Sequence, residues 1–93
     1  MVVELWTSAF CAPCRGARRV VQQAADLVPA LRPVEVDVAS DVERAAAEGI
    51  AGTPTVVLRD ADGREVFRAA GVPTLPQLLA AVAGTLPPAD PTS

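Results

Sequence analysis

The chain alternates between short apolar runs and longer stretches in which apolar residues recur at helical spacing. Val2-Val3-Glu4-Leu5-Trp6 reads as a first strand, and Thr7-Ser8-Ala9-Phe10 connects it to the next element. From Arg15 onward Val20-Val21, Ala24-Ala25 and Leu27-Val28 return about once per helical turn until Pro29 ends the pattern, which predicts an amphipathic helix. Gly16 inside it costs about 1 kcal/mol relative to Ala, so a close approach by another element is expected there. Val34, Val36 and Val38 alternate with Glu35 and Asp37, a half-buried strand. Asp41 to Glu48 carries helix formers behind Ser40, an N-cap candidate, and Gly49 supplies the stop.

The remaining segments complete a sheet. Thr55 to Arg59 reads as a third strand, Asp60-Ala61-Asp62-Gly63 as a hairpin turn, and Arg64 to Ala69 as the antiparallel partner. Thr74 can cap a last helix with Leu75, Leu78, Leu79 and Val82 on its apolar stripe and Gly84 at its end. The order is β-α-β-α-β-β-α, and the helical crossover makes the first two strands parallel. Residues 1–86 are expected to form one domain, and Pro87 to Ser93 have the composition of a disordered tail.

Composition narrows the function classes. Ninety-three residues, half of them hydrophobic, with a net charge of −3, fit a single globular domain. All eight basic residues are scattered arginines and only three aromatics occur, so neither a nucleic-acid surface nor a basic membrane helix is expected. No apolar run approaches the roughly 18 residues of a membrane span. The first residues show no basic segment or cleavage site, and the expected location is cytoplasmic.

Cys11-Ala12-Pro13-Cys14 holds the only two cysteines, at the junction of the first strand and the first helix. A bond between them closes almost no loop, so the pair is a poor staple. Unpaired N–H groups and the positive dipole end of a helix favour the thiolate of its first cysteine, the species that attacks disulfides. A structural or adventitious pair is the plain alternative. Metal binding is another, although two thiolates leave zinc two ligands short and the chain has no histidine.

This element order, with C-A-P-C heading the first helix and Thr53-Pro54-Thr55 before the third strand, resembles the thioredoxin superfamily over about residues 2–84. The matched pattern starts at the first strand, without the extra N-terminal strand and helix of full thioredoxins, so a minimal core of glutaredoxin size is expected. The resemblance implies an α/β, thioredoxin-like fold: a central four-stranded mixed sheet flanked by helices. It also implies a proline at Pro54 that follows a cis peptide bond and packs against the dithiol. The Thr53 backbone would be open to an extended substrate, and Gly71 would lie beside the active site.

The implied activity is reduction of protein disulfides. Cys11 would attack, and Cys14 would resolve the mixed disulfide. Lowering the Cys11 pKa from about 8.5 to about 7 needs roughly 2 kcal/mol of thiolate stabilisation. Pro13 resembles the reductive members, where oxidising relatives more often have histidine. No cofactor is expected beyond the redox-active Cys11–Cys14 disulfide. The expected partners are disulfide-containing proteins and a thioredoxin-reductase-like or small-thiol electron donor, with the chain a monomer. Two alternatives are a glutaredoxin-like enzyme using small thiols, disfavoured by the absence of Tyr and Lys, and a non-enzymatic metal- or partner-binding module.

Two carboxylates depart from the family pattern. Matching Val3-Glu4-Leu5-Trp6 to the family's strand, with the connection to Cys11 one residue longer, puts Glu4 where thioredoxins carry a buried Asp that moves protons at the second cysteine. The second strand puts Glu35 where many of them carry Lys. Placed together, the two would raise one carboxyl pKa towards neutrality and provide a proton acceptor for Cys14; otherwise one or both are solvated. Trp6 and Phe10 are read first as packing residues, with Phe10 also a candidate for an apolar rim beside Cys11. Arg15 and Arg18 are either solvated helix charges or a source of positive potential at the motif. Ala70-Gly71-Val72-Pro73 could extend an apolar patch for a protein partner.

Overall fold

The computed structural model describes residues 1–86; the Pro-rich tail expected at 87–93 lies outside the described residues. The elements run β1 (Val2–Thr7), α1 (Ala12–Leu27), β2 (Arg32–Asp37), α2 (Val42–Ala47), β3 (Thr55–Arg59), β4 (Glu65–Ala70) and α3 (Leu75–Thr85). The sheet order is β2-β1-β3-β4, with β1/β2 parallel and both β1/β3 and β3/β4 antiparallel. This is the expected mixed four-stranded sheet.

β1 and β3 lie in the middle and are covered on both faces, which is why their sequences are nearly continuous apolar runs. Val3, Leu5, Val56 and Leu58 point to one face, where they meet Ala17, Val21 and Ala24 of α1 and Leu78 and Val82 of α3. Trp6 and Val57 point to the other face and pack with Ala45 of the short α2. Strand alternation thus divides β1 between two layers, one residue at a time.

Local chemistry sets most boundaries. α1 stops at Val28, directly before Pro29. Asp60 Oδ1 accepts from the backbone N–H groups of Asp62 and Arg64, both at 2.9 Å, and Gly63 takes φ +84°, which closes the β3–β4 turn. Thr74 and Gln77 form a reciprocal capping box at the start of α3.

Four expectations are corrected. The cap of α2 is Asp41, whose side chain accepts from Arg44 N–H at 3.2 Å, and not Ser40. β2 begins two residues earlier than the valine alternation marks, because Arg32 and Pro33 pair with Val2 and Val3. α3 continues through Gly84 to Thr85, whose hydroxyl donates to the Ala81 carbonyl at 2.8 Å. Gly16 is not needed for a close approach: a Cβ there would meet Val72 at 3.8 Å, an ordinary van der Waals contact.

Candidate functional site

Cys11 is the N-cap of α1 and Cys14 lies in its first turn. Pro13 fits there because an N–H at that position would have no helical partner in any case. The two sulfurs form a disulfide, with Cα atoms 5.3 Å apart. Cys14 is buried and Cys11 is half-buried, so the first cysteine is the more accessible of the two. No side chain caps this helix end and no acidic residue occupies its first turn. Its positive end is therefore uncompensated and favours a thiolate at Cys11 once the bond is reduced.

Three loops meet beside the motif. The Thr53–Pro54 peptide is cis and Pro54 is buried. The Ser8 and Thr53 hydroxyls are hydrogen-bonded at 2.5 Å, which ties the loop before Cys11 to the cis-proline loop across 45 residues of sequence. Gly71, at φ +102°, donates its N–H to the Pro54 carbonyl at 2.8 Å. The same turn carries Val72 towards Gly16 of α1. One depression is lined by Phe10, both cysteines, Arg15 and Arg18, and another, on the cis-proline loop, by Gly52, Thr53, Pro54, Arg68 and Gly71. Cys11, Cys14, Phe10, Pro13, Thr53, Pro54 and Gly71 thus gather at one end of the sheet.

Glu4 does not join them. It shares a face of β1 with Trp6, while α1 covers the face of Val3 and Leu5. Its carboxylate is held by Arg44 of α2 and by Arg59 Nε at 2.9 Å, and Glu48 binds the other end of Arg59 at 2.9 Å. Glu4 is the centre of an ion-pair network on the α2 side of the sheet. Glu35, by contrast, pairs in register with Leu5 and so faces α1. Arg18 grips it with two hydrogen bonds of 2.6 and 2.9 Å. The Arg18 guanidinium holds the Glu35 carboxyl below its ordinary value, against a smaller upward push from desolvation. The shared-proton arrangement expected of Glu4 and Glu35 is therefore absent: alternation places them on opposite faces, and Glu35 shifts down instead of up.

The two aromatics also part company. Trp6 is fully buried, with Arg44 stacked 5.0 Å from its ring centroid. Phe10 packs against nothing: it is 106 % exposed and sits at φ +59°, a left-handed conformation uncommon for an aromatic residue. Sequence reasoning passed over Ser8 and the partners of Glu4. The Arg44/Glu48 spacing of four on a helix, and the need of a carboxylate in a central strand for cations, were the available signals.

A bridged C-x-x-C at an uncapped helix N-terminus, tied through Ser8 to a cis-proline loop, is the site of a thiol-disulfide oxidoreductase. A thioredoxin from Methanocaldococcus jannaschii is 37 % identical over 57 residues, 60 % of this chain and 67 % of that protein. A mutant thioredoxin from Halobacterium salinarum superposes with a TM-score of 0.81 at 28 % identity, over 94 % of this chain and 77 % of the other. Thioredoxin 1 from Thermosipho africanus shares the fold, with a TM-score of 0.78 at 19 % identity over 90 % and 92 % of the two chains. No protein-family model matches the chain. The chain belongs to the thioredoxin superfamily.

Proposed function

We propose that this protein reduces disulfide bonds in other proteins, with Cys11 as nucleophile and Cys14 as resolving thiol. The observation that carries this reading is the asymmetry of the pair: a half-buried cysteine at the uncapped helix end and a buried one behind it. The Cys11 thiolate attacks a substrate disulfide, forming a mixed disulfide and expelling one substrate thiolate. Cys14, deprotonated, attacks the Cys11 sulfur, reforms the internal bond and releases the second thiolate. Two electrons pass to the substrate, whose thiolates take up protons. A thioredoxin-reductase-like enzyme or a small thiol returns the electrons, and this chain needs no cofactor besides its dithiol.

Thr53 and Pro54 would hold an extended substrate backbone, with Gly71 supporting the loop, Phe10 forming an apolar rim and Pro13 favouring the reducing direction. Such a reductant belongs in the cytoplasm and works as a monomer. Glu4, held by Arg44 and Arg59, is given no step in this reading. Equilibration with glutathione buffers tests the direction of electron flow. A potential near about −270 mV supports reduction, and one above about −180 mV overturns it. In Cys14→Ser the mixed disulfide should accumulate and be visible by mass spectrometry.

A further inference from the structure

Arg15 and Arg18 repeat the spacing of the motif: each lies four residues after a cysteine, so each stands on the helix face directly behind a sulfur. Side chains on a helix lean towards its N-terminus, and for these two residues that is the end that carries the motif. Both line the groove that contains Cys11 and Cys14. Arg18 is committed, because Glu35 occupies it with two hydrogen bonds. Arg15 has no ion-pair partner among the described residues, and the first turn of α1 contains no acid. Across the same groove Phe10, immediately before Cys11, is held fully outward by its left-handed backbone. The more accessible cysteine is therefore flanked by one unpaired cation and one unburied aromatic ring.

We propose that the substrates are protein disulfides in which the attacked cysteine has an apolar side chain on one side and a carboxylate on the other. Phe10 covers the apolar side chain and Arg15 takes the carboxylate. This rests on the disulfide-reductase reading above and specifies its substrate. The chain as a whole carries a net charge of −3, so its bulk field favours basic partners. A preference for acidic ones has to arise locally, at the groove.

The test is single-turnover reduction, in which pre-reduced protein freed of excess thiol is mixed with disulfide-linked peptide dimers. The peptides carry Leu before the cysteine and Asp, Asn or Lys after it, and peptide thiol release is followed by stopped flow. The expected rate constants favour the Asp peptide over the Lys peptide by about fivefold at low salt, converging as salt is raised. Arg15→Gln should abolish this ratio, whereas Arg19→Gln, which removes the same charge one turn further along α1 and outside the groove, should preserve it. The ratio is read because Arg15 also acts on the Cys11 thiolate, which scales all rates together. Replacing Leu by Gly in the peptides should slow the wild type about fivefold and leave Phe10→Ala nearly indifferent. Equal rates for the Asp and Lys peptides, a preference for Lys, or equal loss of the ratio in both Arg variants would overturn the proposal while leaving the reductase function intact. No reaction with any peptide would overturn both.

Discussion

A carboxylate in the middle of a central strand is costly to desolvate, and Glu4 is tolerated because Arg44 and Arg59 reach it from two different elements. Glu4→Gln keeps the shape but leaves two guanidinium groups short of a counter-charge. We expect a loss of about 2–3 kcal/mol in urea unfolding, with the pH profile of thiol exchange unchanged. A shifted profile would return Glu4 to the chemistry. Glu35 behaves differently because its partner is exposed. Its folded pKa lies below the ordinary 4.5, so its contribution to stability is present above that value and lost as pH falls through the lower folded one. The difference in urea midpoint between wild type and Glu35→Gln should therefore stay constant down to about pH 5 and shrink below about pH 4.5. Added salt should shrink it at every pH, since both groups face solvent.

Among the elements, α1 does most to make the site. Its start is written locally: Pro13 suits the first turn, and the absence of a polar cap or an acid leaves the dipole to Cys11. Its interior is less well optimised. Because a Cβ at Gly16 meets only Val72 at van der Waals distance, Gly16→Ala should raise stability by about 0.5–1 kcal/mol, read as a higher urea midpoint. A decrease would show that Val72 and its loop cannot adjust. The start of α2 is ambiguous in sequence because Ser40 and Asp41 are both good caps. Which one serves depends on the backbone turn after β2, where the Asp37 side chain accepts from Ala39 N–H and the Ser40 N–H bonds to the Asp37 carbonyl.

At the scale of the molecule, one layer carries most of the apolar burial. α1 and α3 pack side by side on Val3, Leu5, Val56 and Leu58, with Leu78 fully enclosed between them. Leu78→Ala should cost about 3 kcal/mol in urea unfolding, a large part of the roughly 5–10 kcal/mol available to a domain this small. The α2 layer is thinner, and the ion-pair network around Glu4 closes it where apolar residues are few.

Element order, strand directions, the dithiol at a helix start and the glycine at the β3–β4 turn were legible from the chain alone. Each depends on spacing and backbone chemistry within a few residues. The faces of β1 were not, since shifting a strand by one residue moves every side chain to the opposite side. Only the packed sheet assigns Leu5 to α1, and with it sends Glu4 to two arginines on the other side. The exposure of Phe10, the joining of Ser8 to Thr53 and the pairing of Arg18 with Glu35 likewise link residues far apart in sequence, or depend on a backbone angle that no residue pattern encodes. The sequence by itself determined that this protein carries a reactive dithiol at a helix start; the tertiary structure decided which charges and which aromatic ring surround it.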